Sequence, residues 1–423
     1  MIEHDVPSGP LKRCQITGSE NLNLIIDLGH QPPCDSLLTK AQLDQPEATY
    51  PLRLMHCPES GLAQLDFVVD GKTIYPPEYP YRSGISKPLE VYQRAFADGI
   101  VSRFASSGLA AGSLCVDIGS NDGTLLTGFK RNGMKVLGVE PTDVAKIARS
   151  ENGIETIQSF FTQALARDLV KDYGNARVIT MTNVFAHMAG LGEVMRGIDT
   201  LLAADGVFVT ESHYLLDILE KNQFDTIYHE HIRTYSLKAL VTLFPMYGME
   251  VFDVQRADRY GGNLRAYVCR KGKYPVTRQV ADLLALEDSS GLHDPKTWRT
   301  FQDRIFRQRD VFMAFLYGAR MKGQSIAGCS APGRCSTLLN FYGVTPDLMP
   351  YLGELHNSLK LGKYLPGKHI PIVSNKRIIE EQPDNLVLLA WHYAEPIIKR
   401  LRAEGVRSRL LIPLPEFTCV ENG

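Results

Sequence analysis

The sequence lacks an excess of charge of either sign: 46 Lys and Arg stand against 47 Asp and Glu, a formal net charge of -1 over 423 residues. Without an overall basic field to neutralise many phosphates, a nucleic acid polymer is not an expected partner. A small anionic ligand stays open, because a few local Arg, Lys or helix N-termini suffice for one diphosphate. A long apolar run is also missing, and MIEHDVPSGPLKR has no basic start followed by an apolar stretch and a small-residue cleavage site. The expectation is a chain without membrane association, located in the cytoplasm. The eight cysteines (Cys14, Cys34, Cys57, Cys115, Cys269, Cys329, Cys335, Cys419) are widely spaced. That spacing suits reduced thiols better than a disulfide framework.

What is present points to an α/β protein. With 44% hydrophobic and 22% charged residues, the chain is long enough for two or three cored domains. Residues 1–75 are rich in Pro, Gly and short alternating runs such as LNLIIDLG and YPLRLMHC, which read as a small β-rich module with little core of its own. Residues 76–272 carry a helical stretch from Lys87 to Ser107, then the runs SLCVDIGS, KVLGVE, RVITMTNV and GVFVTES with helical segments between them. These are the marks of buried parallel strands in a doubly wound, Rossmann-like sheet. MEVFDVQRAD and NLRAYVCRKG read as a terminal antiparallel hairpin turned at Tyr260, Gly261 and Gly262. From Tyr274 to about Lys322 the pattern is charged amphipathic helix. Residues 273–423 then repeat strand, glycine turn and helix in QSIAGCSAPGRCSTLLNFYG, which predicts a second, smaller Rossmann-like α/β layer.

VDIGSNDGTLL is a strand entering a turn that opens a helix, and Gly119, Ser120, Asn121, Asp122 and Gly123 form the turn. Small residues there let backbone N–H groups approach a ligand. The G-x-G-x-x-G spacing that seats a pyrophosphate is absent, so an amino-acid-bearing nucleotide, S-adenosylmethionine, fits better than a dinucleotide. Asp117 at the strand end is placed to meet the cofactor's ammonium group, and Glu140, closing KVLGVE, to accept from two ribose hydroxyls. Asn183, in the loop after the fourth strand, joins this set, and Phe160 or Phe161 covers the adenine.

FDTIYHEHIRTYS places Tyr228, Glu230 and His231 within four positions. Carbon methylation beside a ketone needs a base for the carbon-bound proton, a donor for the developing oxyanion, and a methyl sulfonium in line with the carbon. Histidine suits the first task, its ordinary pKa of about 6.5 leaving a proton-accepting form near neutrality. His231 is therefore the expected base. Glu230 orients a sugar hydroxyl or the imidazole, and Tyr228 donates to the ketone oxygen. His187 ends the fourth strand, where ligands bind in open α/β sheets. Tyr75, Tyr79 and Tyr81 form either a packed surface loop or a lid over the substrate.

These residues resemble the deoxysugar C-methyltransferases that act on nucleotide-linked 4-keto sugars, typified by the enzyme of tetronitrose biosynthesis. The resemblance covers nearly the whole chain and rests on DLGHQPP, YPYRSGIS, VDIGSNDGTLL, FDTIYHEH, YGGNLRAYV, AGCSAPGRCSTLLNF, LGKYLPGKHIPIV and LAWHYAEPI, in that order. It implies His231 as general base, with Tyr81 or Tyr79, His187, Tyr228 and Glu230 lining the sugar site. It also implies a C-terminal lobe holding the nucleotide-sugar, where Gly328, Ser330, Gly333, Arg334 and Ser336 form a turn that cradles a diphosphate and His392 lies nearby.

Members of that family usually carry two C-x-x-C knuckles that bind a structural zinc. Here Cys14 is followed by Thr17 and Cys57 by Ser60, so either Cys34, His30 or His56 completes a rearranged site or the site is lost. Position 229 is His where an acidic residue is common. The implied reaction is deprotonation beside the 4-keto group, at C3, followed by methyl transfer, in a monomer or dimer. Two other readings compete: a nicotinamide-dependent keto-sugar reductase, and a non-catalytic sugar-nucleotide-binding protein.

Overall fold

Short apolar runs closed by glycine or polar residues set the sheets. The computed structural model describes residues 6–77, 81–85 and 87–421. Among them the strands form sheets of seven, six, four and two.

The seven-stranded sheet runs Met249–Ala257, Asn263–Arg270, Leu202–His213, Ala176–Thr182, Leu114–Ile118, Lys135–Val139, Thr156–Ile157. All its strands are parallel except Asn263–Arg270, which pairs antiparallel with both neighbours. Leu114–Ile118 is buried along its whole length because helices cover both faces. Cys115 packs with Phe96, Ile100, Leu126 and Phe129 on one side, while Val116 and Ile118 join the larger core on the other. This is the period-two division expected of a two-sided strand. Fully burying each such large apolar side chain contributes about 1.5–3 kcal/mol. The chain leaves Leu114–Ile118 toward Lys135–Val139 on one side and later adds Ala176–Thr182 on the other. The sheet's topological switch point, where ligands gather at strand C-termini, therefore lies at the Gly119 turn.

The N-terminal sheet pairs Asn23–Gln31, Tyr50–His56 and Ala63–Leu65, and its fourth strand comes from much later in the chain, Arg233–Thr234. The buried Arg233 guanidinium donates to Gln15 Oε1 (2.7 Å), to the Tyr235 hydroxyl (2.9 Å) and to the Phe185 carbonyl (3.1 Å). The segment just before it, 228–231, is thereby pinned between the N-terminal sheet and the central one.

The expected helical stretch from Tyr274 to Lys322 is two helices, Arg278–Ser289 and Pro295–Met321. The break is local chemistry. Gly291 takes a left-handed φ of +67°, and Asp294 caps the second helix by accepting from the Lys296 N–H (2.8 Å), with Pro295 in the first turn. The six-stranded sheet that follows runs Ile372–Ser374, Leu352–Glu354, Ile326–Cys329, Asn385–Leu388, Arg409–Ile412 and Thr418–Val420, parallel except for the last strand. No helix among the described residues is long and apolar enough to cross a membrane.

Candidate active site

Leu114–Ile118 ends at Gly119, whose φ is +71° and whose added Cβ would lie 2.5 Å from Val184. No other residue fits that turn. The Gly119 and Ser120 N–H groups both donate to the Val139 carbonyl, at 2.8 and 3.1 Å, which ties the turn to the strand that ends at Glu140. The Glu140 carboxylate accepts from the Asn121 N–H (3.0 Å) and from the Thr142 hydroxyl (2.6 Å). Asp117 accepts from the Thr180 hydroxyl (2.6 Å), and burial pushes its carboxyl up to about 7.

Asp117, Gly119, Ser120, Asn121, Glu140, Phe160 and Asn183 line one cavity of about 550 Å³. Ser120 Oγ is buried there without a hydrogen-bond partner. A strand-end acid, an orphaned hydroxyl, a second acid on the neighbouring strand and an exposed Phe160 together fit the ammonium, ribose and adenine of an amino-acid-bearing nucleoside. Asp122 and Gly123 do not line this cavity. Asp122 caps locally, accepting from the Thr124 hydroxyl (2.6 Å) and the Gly84 N–H (2.7 Å), and Gly123 precedes the helix Thr124–Arg131 with its Cα against Ile154.

The same cavity is lined by His187, Tyr228, Glu230 and His231. His231 Nδ1 lies 2.6 Å from the Thr226 carbonyl, which can only accept, so Nδ1 carries the proton and Nε2 is left with its lone pair. Burial pulls this imidazole down to about 4, the Thr226 contact acting against that and Arg334 with it. Its ring lies 3.9 Å from Tyr228, and 4.8 Å from each of His187 and His213. His187 Nδ1 is 2.8 Å from the Tyr75 hydroxyl, its Nε2 is buried without a partner, and burial holds it well below the usual histidine range. Glu230 Oε1 accepts from the Cys34 thiol (3.6 Å), which burial and the Glu230 charge keep protonated.

The segment before the helix Lys87–Phe104 is tied over the Gly119 turn. The Ser83 N–H donates to Asn121 Oδ1 (2.8 Å), and Asn121 Nδ2 to the Tyr81 carbonyl (3.1 Å). Tyr81 lines the cavity, and its hydroxyl is 3.0 Å from that of Tyr260. Tyr79 lies outside the described residues.

In the C-terminal lobe, Gly333, Arg334 and His392 line the cavity, but Gly328, Ser330 and Ser336 do not. The anticipated diphosphate cradle is already taken by an anion of the chain itself: the Ala331 N–H donates to Glu354 Oε2 (2.7 Å). Gly328 packs against Leu352 and Leu389, Ser330 Oγ lies beside the Cys329 thiol, and Ser336 is buried against Asn340. Arg334 is held by both oxygens of Asp225 (2.7 and 2.8 Å), with Trp391 Nε1 also donating to Asp225 (2.8 Å). The sequence reading missed Gln93, His213, Arg259 and Lys360, which also line the cavity. Lys360 pairs with Asp35 at 2.9 Å. Its single signal in sequence is its place just before LGKYLPGKHIPIV.

Cys14 and Cys57 do come together, at the two knuckles, where they partner each other and have hydroxyls beside them in place of further thiols. Cys14 Sγ is 3.2 Å from Ser60 Oγ, and Cys57 Sγ is 3.7 Å from Thr17 Oγ1. Two cysteines and two neutral alcohols fall short of the four thiolate or imidazole ligands that zinc requires. The other residues do not complete it. Cys34 is grouped with Asp35 and Glu230, His56 Nε2 is 3.2 Å from His293 Nδ1, and His30 is exposed.

Three domain families match the chain: a domain named for zinc binding at residues 14–75, a methyltransferase domain at 90–254, and a C-methyltransferase C-terminal domain at 258–415. The chain is 33% identical to the C-methyltransferase NovU of Streptomyces niveus over 411 residues, 96% of each protein. Among solved structures, the plantazolicin methyltransferase BpumL is 12% identical with a TM-score of 0.36, over 44% of this chain and 87% of that one. A S-adenosylmethionine-dependent methyltransferase from Clostridium acetobutylicum is 12% identical with a TM-score of 0.34, over 42% and 91%.

Proposed function

We propose, from the premise that this chain belongs to the deoxysugar C-methyltransferase family and is a S-adenosylmethionine-dependent C-methyltransferase, that its substrate is a nucleotide-linked 4-keto sugar, methylated at C3. The single observation that carries this reading is the neutral His231, its Nε2 lone pair unencumbered, in the same cavity as the Gly119 turn.

His231 Nε2 takes the proton from the carbon beside the ketone, and the electron pair of that C–H bond moves to the carbonyl oxygen as an enolate. His187 is placed to meet that charge. With the Tyr75 hydroxyl donating to its Nδ1, His187 presents a buried, unpaired Nε2–H, and Tyr228 offers a second donor from its hydroxyl. Such preorganised donors act most strongly where water is excluded. S-adenosylmethionine, held by the residues of the Gly119 turn, would supply the electrophilic methyl group, its C–S bond breaking to leave S-adenosylhomocysteine as the ketone re-forms. Glu230, kept at the cavity wall by Cys34, orients the sugar hydroxyls, and His231 returns its proton to water.

Exchange of a carbon-bound proton tests this without requiring methyl transfer. In deuterated buffer with S-adenosylhomocysteine and a panel of dTDP-, CDP- and GDP-linked 4-keto sugars, the protein is expected to catalyse deuterium entry at C3 of one of them. His231→Gln is expected to slow that exchange by at least about a hundredfold, the usual contribution of a general base. Exchange surviving in His231→Gln would remove the base from this position.

A further inference from the structure

Two buried side chains that line the cavity each carry a polar atom without a partner in the chain. Gln93, on the helix Lys87–Phe104, and Arg259, in the hairpin turn before Tyr260, are each only 7% exposed, and both line the cavity. Gln93 Oε1 is a buried acceptor without a hydrogen-bond donor, and Arg259 Nη1 is a buried donor without an acceptor. They are neighbours through Tyr92: the Arg259 guanidinium lies 4.4 Å from the centre of that ring, and equally close to the Tyr260 ring.

A buried guanidinium normally has a carboxylate, because an unpaired buried charge is costly. The acid whose charge acts on Arg259, Glu211, is committed elsewhere, to Arg265 (2.7 Å) and to the Tyr92 hydroxyl (2.8 Å). What Arg259 has instead is a bond from Nη2 to the Tyr260 hydroxyl (2.8 Å), a contact with the Tyr393 hydroxyl and two aromatic faces. A missing carboxylate and a missing donor, in the same cavity as the Gly119 turn, describe the two ends of a zwitterion.

We infer that Arg259 and Gln93 clamp the α-amino-acid end of S-adenosylmethionine, Arg259 holding its carboxylate and Gln93 Oε1 accepting from its ammonium group. A chain of contacts ties the clamp to the Gly119 turn: Arg259 bonds to the Tyr260 hydroxyl, which meets that of Tyr81, and the Tyr81 carbonyl accepts from Asn121 in the turn. The inference rests on the reading of that turn as the cofactor site. It adds two positioning groups that hold the sulfonium against His231.

Calorimetric titration of the full chain with two ligands separates the possibilities. S-adenosylhomocysteine carries the amino-acid end, whereas 5′-methylthioadenosine has the same nucleoside and thioether without it. Arg259→Met and Gln93→Leu are each expected to weaken S-adenosylhomocysteine by about tenfold or more, the loss of one charge-assisted hydrogen bond. Binding of 5′-methylthioadenosine is expected to stay unchanged, which also verifies that each variant is folded. Arg259→Lys, which keeps the charge, is expected to recover part of the loss and serves if Arg259→Met does not fold. Equal loss of both ligands, or unchanged binding of S-adenosylhomocysteine, would each overturn the clamp. Failure of the wild-type chain to bind either adenosine ligand would overturn the cofactor site itself, a different result from a failed clamp.

Discussion

His231 Nδ1 lies 2.6 Å from the backbone carbonyl of Thr226, five residues earlier, and this contact decides which nitrogen of the imidazole is available. Because a carbonyl cannot donate, the free lone pair is on Nε2. The burial that accompanies the contact keeps the ring neutral down to about pH 4. With both ligands saturating, deuterium exchange into the sugar is therefore expected to be level from about pH 8 to about pH 5 and to fall only as pH approaches 4. An ordinary histidine would already be half protonated near pH 6.5. An acid limb centred near 6.5 in the rate of bound complex would contradict the buried-neutral assignment.

The same physics sets the acid stability of the fold. Burial lowers His56 to about 3 and both His229 and His231 to about 4, while in the unfolded chain each binds a proton near 6.5. Below pH 6.5 the unfolded chain takes up protons that the folded one refuses, so stability is lost as pH falls toward 4. These three rings together give a slope of about 4 kcal/mol per pH unit in that window. Urea titrations at pH 7.5, 6.5 and 5.5 check this: little change between the first two and a sharp loss at the third.

Arg334 joins the C-terminal lobe to the segment ahead of His231 through Asp225, and both partners are buried. Asp225→Asn leaves the guanidinium without its counter-charge, and a loss of about 3–5 kcal/mol is expected in urea denaturation. Replacing both, Arg334→Met with Asp225→Leu, is expected to cost clearly less than Asp225→Asn alone, because no charge is left stranded.

The two knuckles predict their own metal chemistry. With Thr17 and Ser60 where a zinc site needs thiolates, the purified protein is expected to contain no stoichiometric zinc, and a chelator to leave its Tm unchanged. Thr17→Cys with Ser60→Cys restores four thiols, and that variant is expected to take up one zinc per chain with a rise in Tm. Elemental analysis of both proteins decides the matter, and stoichiometric zinc in the wild type would contradict the donor assignment.

The Gly119 turn, Glu140, the antiparallel hairpin and the cluster around His231 were legible in the sequence because each is a local pattern: a strand ending in glycine, an acid one strand further, two runs about one glycine pair. Arg259, Gln93 and Lys360 were not. Their meaning lies in who stands opposite, and Lys360 meets Asp35 across 325 residues of chain. Of the turn Gly328, Ser330, Gly333, Arg334 and Ser336 expected to cradle a diphosphate, only Gly333 and Arg334 line the cavity, for a related reason. The turn has the right residues, but Glu354, on the adjacent strand, already accepts from the Ala331 N–H. Asp122 and Gly123 read as ligand groups only until Thr124 and Ile154 are placed beside them.

The destination of the methyl group defines the reaction. Incubation with S-adenosylmethionine labelled with carbon-13 in its methyl group, in the presence of the dTDP-, CDP- and GDP-linked 4-keto sugars, followed by NMR of the product, locates it directly. A labelled methyl bonded to C3, next to an intact ketone, is the predicted result, and a methyl bonded to oxygen would contradict it.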